Sequence, residues 1–342
     1  MSLFSFLKKK NNRVLGVQIV GRSLRWAEAS LSDDAFDVRT HGMLDTTYDL
    51  WRESIQDQDR VMDDLAPIAA YRDTPLACVL PPSLTQTAYL SIPLVEFTQK
   101  DSSRIIKTYI ESYIAEHKTL ITSDTVCLYD VLSENTERVD IAATFYRSSD
   151  VQPVADIFHA LGFGTVHFVP MQDALQALHN NDDPSLLVSV ADHSTSVFQV
   201  ENGYLTGYGE TDFGAGNVMN AIRNIVGEER APRVYARYGM KASHRDPKVY
   251  ADIVQQAMPI IDLAQHMITG ADQDHDIILA GDHARLPGLD TFIAQYLRRV
   301  PQTLDVWQRF VSPDVRLPVI DAHDMLRFAP ALGAAVDYLE SR

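Results

Sequence analysis

The chain has 342 residues, and its 46 Asp and Glu against 30 Lys and Arg give a formal net charge of −16. An acidic chain without a basic stripe is a poor match for nucleic acid, because phosphate binding needs clustered Lys and Arg. With 46% hydrophobic residues, the chain can bury a large core divided between two domains. Cys78 and Cys127 form no C-x-x-C motif, which excludes a disulfide framework and a cysteine zinc site and favours a reducing cytoplasm.

The N-terminal segment places its apolar residues before the lysine run at 8–10. A secretory signal has the opposite order and a longer apolar region, so we predict a flexible apolar-basic tail over 1–12. A short amphipathic segment that touches anionic lipid is the alternative. The longest uncharged window, 74–95, is interrupted by prolines, and no transmembrane helix is predicted.

Strand and helix patterns alternate along the first half of the chain. Apolar or alternating segments predict strands at 14–19, 24–29, 77–80, 84–92, 126–132, 139–145 and 165–169. Apolar residues at helical spacing predict helices after Asp101, at 151–161 and from 171 to about 179. This order is typical of a mixed α/β fold.

A polar linker at 180–185 is followed by a second series of strands and helices. Strands are predicted at 186–190, 196–200, 204–210 and 277–280, and helices from 214, across much of 228–271, at 289–298 and at 328–339. A strand, a turn of small residues and a second strand occur near residue 16 and again near residue 188. The repetition predicts a duplicated α/β architecture.

Small residues follow predicted strands in three loops, at 16–23, 189–195 and 278–289. Backbone amides at such strand ends can bind phosphate, although a single loop of this kind is more often only a turn. Their order and separation, with VLGVQI at 14–19, LAGDHARLPGL at 279–289 and ALGAA at 331–335, resemble the actin-like ATPase superfamily. Within it, the chain resembles the PilM family of type IV pilus assembly proteins, relatives of the division protein FtsA, and is similar to its divergent, MSHA-pilus-like members.

The resemblance implies a duplicated, two-lobe, actin-like (ribonuclease H-like) fold. The first lobe would cover 13–182, with a small α/β subdomain inserted at about 75–160. The second lobe would cover 183–325, and a C-terminal helix at 326–342 would return to the first lobe.

Departures from the family pattern fall on the phosphate loops. The superfamily uses an Asp in each phosphate strand to position magnesium, but this chain has Gln18 and Ser189 there. Ala191 replaces a loop glycine, and Asp282 replaces the second glycine of the adenosine motif, where its charge would face phosphate. We therefore predict a pseudo-ATPase with no bound cofactor. Magnesium-bound ATP is the alternative, and it would be held by Gly21, Ser23, Ser194, Gly214 and Gly281.

Other residue patterns predict neither a metal site nor a nucleophilic catalyst, because the chain contains no H-E-x-x-H or G-x-S-x-G motif. His193 and His283 are expected on opposite loops of the cleft.

By resemblance, the chain is a cytoplasmic scaffold at the inner face of a bacterial inner membrane. It would bind the short cytoplasmic peptide of a PilN-like, single-span membrane protein, together with other pilus platform proteins. One alternative is a working actin-like ATPase. Another is the cytoplasmic scaffold of a type II secretion system, although such proteins usually continue into a membrane span that this sequence lacks.

Overall fold

The computed structural model describes residues 12–32, 35–53, 55, 57–93, 102–116, 124–134, 138–179, 183–201, 204–241, 247–269, 274–310 and 322–341. The tail predicted at 1–12 lies outside these residues except for Asn12. Asp101, after which a helix is predicted, also lies outside them. The helices of the described part include none that is both long and apolar enough to cross a membrane.

The first half of the chain forms one mixed sheet and one small sheet. Its elements are β1 (Arg13–Val20), β2 (Ser23–Ser32), β3 (Ala35–Asp45), α1 (Gln58–Leu65), β4 (Leu76–Leu80), β5 (Gln86–Pro93), α2 (Ser102–Glu116), β6 (Thr125–Glu134), β7 (Arg138–Arg147), α3 (Ser148–Ala160), β8 (Val166–Pro170) and α4 (Met171–His179). The first sheet has the strand order β3-β2-β1-β4-β8. Strands β1, β2 and β3 are antiparallel neighbours, whereas β4 and β8 run parallel to β1.

The second half repeats this arrangement. Its elements are β9 (Ser185–Val190), β10 (Thr195–Glu201), β11 (Tyr204–Thr211), α5 (Ala215–Val226), α6 (Ala231–Tyr238), α7 (Pro247–Thr269), β12 (Asp276–Ala280), α8 (Leu289–Leu297), β13 (Gln302–Thr303) and α9 (Ala322–Glu340). The second sheet has the order β11-β10-β9-β12-β13, again with three antiparallel strands followed by two parallel ones. The predicted duplicated α/β architecture is therefore confirmed.

The small sheet is antiparallel, with the order β5-β7-β6. Helix α2 covers one face, where Ile106 and Ile110 pack against Ile92, Ile141 and Phe145. The small sheet and α2 therefore form a hydrophobic core of their own.

Helix α9 packs on the first sheet and on α4. The backbones of β1 and α9 approach so closely that a Cβ added at Gly16 would lie 1.7 Å from the Ala331 carbonyl oxygen. A Cβ added at Gly333 would lie equally close, 1.7 Å, to the carbonyl oxygen of Ala174. Only glycine fits at these two contacts. One continuous hydrophobic core runs from the first sheet through α4 and α9 into the second sheet, and it joins the two halves.

Candidate functional site: a cleft between the two sheets

A cavity of about 690 Å³ lies between the two large sheets. Its walls come from all three of the loops that the sequence singled out, together with residues 81–84 after β4. Gly21, Ser194 and Gly281, three of the five predicted site residues, line it. The loops converge because each follows a central strand of its sheet at the end that faces the other half.

Gly281 is the glycine that this geometry most requires. It follows β12 with φ +80°, a conformation that a residue with a Cβ rarely adopts, and a Cβ there would lie 2.8 Å from the Ser189 hydroxyl oxygen. Its backbone therefore packs directly on β9.

The other two predicted site residues lie outside the cavity lining. Ser23 begins β2, and its hydroxyl is buried without a hydrogen-bond partner among the described residues. Gly214 caps α5 and lies behind the loop, where a Cβ would meet the Asp192 carbonyl oxygen at 2.5 Å. The first amides of α5 are also engaged, since Ala215 donates to the Ala191 carbonyl oxygen at 2.9 Å and Gly216 to that of Asp192 at 2.7 Å. This helix start, which could otherwise hold a phosphate, is satisfied by main chain.

Asp282 lines the cavity and is bound by a cation of the first sheet. The Arg25 guanidinium on β2 donates to the Asp282 carboxylate, and each side chain is only 10% exposed. Arg25 is also the direct cross-strand partner of Gln18. The sequence interpretation found Asp282 but missed Arg25. The register of a hairpin that turns at 21–22 would have placed Arg25 opposite Gln18.

His283 bridges the two loops of the second half. Its Nε2 lies 2.8 Å from an Asp192 carboxylate oxygen, and its Nδ1 lies 3.1 Å from the Tyr235 hydroxyl. The hydrogen bond from His283 holds the pKa of Asp192 below its usual range. Burial raises the pKa of Tyr235 to about 12, so this hydroxyl keeps its proton and can donate to His283. His193, next to Asp192, lines the cavity, whereas His283 is not among the lining residues. Both histidines belong to the second half, so they do not lie on opposite loops of the cleft as predicted.

The charged lining is acidic overall. Carboxylates outnumber guanidinium groups in the lining, which contains Asp49, Asp192, Glu210 and Asp282 against Arg22 and Arg52. Arg22 binds Glu53 at 2.7 Å. The described residues include no group of three His, Cys, Asp or Glu side chains arranged to hold a metal ion. At the base, the Gln18 side-chain oxygen is buried and, within the described part of the chain, lacks a hydrogen-bond partner.

Comparison with known proteins identifies the fold. No protein-family model and no curated protein matches the sequence. Among solved structures, the PilM-PilN type IV pilus biogenesis complex matches with a TM-score of 0.72 and 15% identity, over 94% of this chain and 97% of that chain. The ethanolamine utilization protein EutJ from Carboxydothermus hydrogenoformans matches with a TM-score of 0.53 and 10% identity, over 95% and 89%. MreB5 of Spiroplasma citri bound to ADP matches at 0.51 and 7% identity, over 86% and 92%.

The chain thus has an actin-like ATPase fold with two mixed sheets and a small antiparallel sheet, as predicted. Its fold is similar to that of PilM over nearly its whole length.

Proposed function

We propose that this protein is a PilM-like scaffold of type IV pilus biogenesis that works without nucleotide chemistry. It would lie at the cytoplasmic face of the inner membrane and bind the short cytoplasmic peptide of a PilN-like, single-span protein. The observation that supports this proposal is the similarity to a PilM solved in complex with PilN, at a TM-score of 0.72 over 94% of this chain. An actin-like scaffold of this size can position a membrane partner without doing chemistry.

The small sheet offers a surface for an extended peptide. Four of the exposed large apolar side chains lie on its outer strands, namely Tyr89 on β5 and Leu128, Tyr129 and Val131 on β6. Strand β6 is at the edge of this sheet among the described strands. An edge strand can pair with an added strand through its main chain, and apolar side chains beside it supply the contact area.

Titration calorimetry with a synthetic peptide of the cytoplasmic N-terminus of a PilN protein tests the partner. We expect saturable binding, weakened at least about tenfold by Leu128→Asp or Tyr129→Asp, because a charge would have to be desolvated at the contact. The matched control is Val300→Asp, since Val300 is 83% exposed and lies on the second half. Absence of binding by the unmodified protein would contradict the proposed partner, whereas binding that both β6 variants leave intact would place the peptide elsewhere.

The cleft residues support a scaffold without ATPase activity. Gln18 and Ser189 supply no carboxylate where the resemblance requires one for magnesium, and the Asp282 carboxylate is bound by Arg25. The lining carboxylates other than Asp282, those of Asp49, Asp192 and Glu210, disfavour a triphosphate, and the first amides of α5 are already hydrogen-bonded. These side chains do not fit a magnesium nucleotide.

Titration of magnesium-ATP into the purified protein tests this second part independently. We expect neither heat nor a thermal shift at millimolar nucleotide. Saturable binding at micromolar strength would instead support a working nucleotide site. That outcome would leave the peptide partner untouched, so the two parts of the proposal fail separately.

A further inference from the structure

Arg25 occupies an unusual position for a charged residue. It lies on β2, between β3 and β1 of the first large sheet, is only 8% exposed, and stands directly opposite Gln18 on β1. Directly opposed residues of antiparallel strands share a face of the sheet and lie side by side. The guanidinium of Arg25 is therefore a fixed positive charge at the base of the cleft, beside the position where the resemblance expects a magnesium-binding carboxylate.

This guanidinium connects three separate parts of the chain. Arg25 itself is on β2 of the first sheet, and its Nη1 donates to the carboxylate of Asp282 in the loop after β12 of the second sheet. The same Nη1 lies 3.4 Å from the Arg327 carbonyl oxygen of α9. The ion pair thus crosses the cleft, and the helix that covers the first sheet supports it.

The loop that carries Asp282 is itself held firmly by the second half. The Gly281 backbone packs on Ser189 and Val190 of β9. On the other side of Asp282, the His283 amide donates to the Val190 carbonyl oxygen at 3.2 Å, and the His283 ring binds Asp192 and Tyr235. The position of Asp282 is therefore fixed relative to the second sheet, because the loop that carries it is bound to that sheet on both sides.

We propose that Arg25 and Asp282 form a permanent ionic bridge that holds the two sheets at one separation across the cleft, without nucleotide or metal. A guanidinium remains charged throughout the physiological pH range. A pair with both side chains only 10% exposed is also weakly screened by salt. Unlike a bound ligand, such a bridge is not released, so the cleft would act as a rigid joint instead of a gate. This inference goes beyond the proposed function and does not depend on it.

Distance measurement between spin labels on the two halves tests the bridge. Labels on Gln58→Cys in α1 and Arg233→Cys in α6 occupy exposed positions, in a Cys127→Ser background that leaves only buried Cys78. For the otherwise unmodified protein, we expect one narrow distance distribution that magnesium-ATP and high salt leave unchanged. Arg25→Gln or Asp282→Gly should broaden the distribution or lengthen its mean, because the cross-cleft contact is lost. The matched control is Glu53→Gln, which breaks the exposed Arg22–Glu53 pair within the first half and should change nothing.

Two results would overturn the bridge. One is a broad or two-peaked distribution in the labelled protein with Arg25 and Asp282 intact, or one that narrows on addition of nucleotide, which needs no substitution in the bridge itself. The other is a folded Asp282→Asn protein with unchanged distances, since Asn keeps the shape of the side chain but removes its charge. The first measurement remains decisive even if Arg25→Gln or Asp282→Gly fails to fold.

Discussion

The two halves of the molecule use the same strand order but place different side chains at the cleft. In the first half, Gln18 on β1 stands opposite Arg25 on β2. In the second half, Ser189 on β9 stands opposite Ser196 on β10. The first sheet therefore has a long charged side chain at this pair of positions, and the second sheet has two small hydroxyl side chains. The duplicated backbone brings the loops together, but side chains at a few positions determine what the cleft can bind.

The halves also differ in how their sheets contact the covering helices. On β1, Gly16 lies against the backbone of Ala331 in α9, whereas Gly209 on β11 lies against the Leu263 side chain of α7. A side chain can rotate away from an added methyl group, but a helix backbone cannot move without shifting the whole helix. At these two positions, the first half is therefore the less tolerant of an added methyl group.

The largest effect is expected from Gly16→Ala. Its Cβ would lie 1.7 Å from the Ala331 carbonyl oxygen, so α9 must separate from the sheet, and we expect a loss of more than about 3 kcal/mol in the free energy of unfolding. Gly209→Ala, with its nearest contact at 2.4 Å to a Leu263 methyl, should cost only about 1–2 kcal/mol. Urea unfolding of both variants measures the difference. Equal losses would mean that the two sheets are covered equally tightly.

A comparably large effect is expected from the paired cleft positions. Arg25→Met leaves the nearly buried Asp282 carboxylate without its cation, and removal of one member of a buried ion pair typically costs about 3–5 kcal/mol. Adding Asp282→Leu should restore most of that loss, because no uncompensated charge remains. Ser196→Ala, at the matching position of the second half, should cost about 1 kcal/mol. A double variant no more stable than Arg25→Met would show that packing, rather than charge, is what the pair supplies.

Much of the fold could be predicted from local patterns, because the central strands are short apolar runs bounded by turns. Strand β3 was missed, since its buried Phe36 and Val38 alternate with the partly exposed Asp37 and Arg39 over only a few residues. Helix α9 begins at Ala322, six residues before its predicted start at 328, because the intervening sequence lacks a clear apolar period. Boundaries of this kind depend on tertiary packing, which a local pattern does not contain.

The candidate site was less predictable than the fold. Glycine and hydroxyl residues after strands indicated which loops meet, and Gly21, Ser194 and Gly281 do line one cavity. The partner of Asp282 could not be found in the same way, because Arg25 is 257 positions away in sequence. Tyr235 was likewise missed, since nothing local connects a residue in α6 with His283. Both contacts follow from tertiary packing, which brings together residues that are far apart in the sequence.

A smaller, pH-dependent effect is expected where the halves join. His179 at the end of α4 lies 2.9 Å from the Ser185 hydroxyl at the start of β9, and burial holds the pKa of His179 below its usual 6.5. The unfolded chain therefore binds a proton before the folded protein does as the pH falls. Stability should decline from about pH 6.5 towards the folded-state pKa, by at most about 1.4 kcal/mol per pH unit.

Chemical unfolding at several pH values between neutral and mildly acidic measures this decline. His179→Gln should flatten the pH dependence, whereas His159→Gln, at an exposed position on α3, should retain it. A curve for His179→Gln that parallels the unmodified protein would assign the acid sensitivity to another histidine.

The smallest change in stability is expected when the polar contacts on the two sides of the cleft are removed one at a time. Asp192→Asn weakens the bond to His283, in which the Asp192 side chain is 54% exposed, so we expect a loss of at most about 1 kcal/mol at neutral pH. Glu53→Gln, which breaks the Arg22–Glu53 contact of the first half, should give no measurable change. Because the pKa of Asp192 is lowered in the folded protein, its contribution is present above the unfolded value of 3.8 and is lost as the pH falls through the folded pKa. The stability difference between Asp192→Asn and the unmodified protein should therefore persist at pH 5 and disappear only in stronger acid. If the stability difference had already disappeared at pH 5, the carboxylate would contribute through something other than its charge. The surface ion pairs of the second half would then contribute as little to stability as those of the first half.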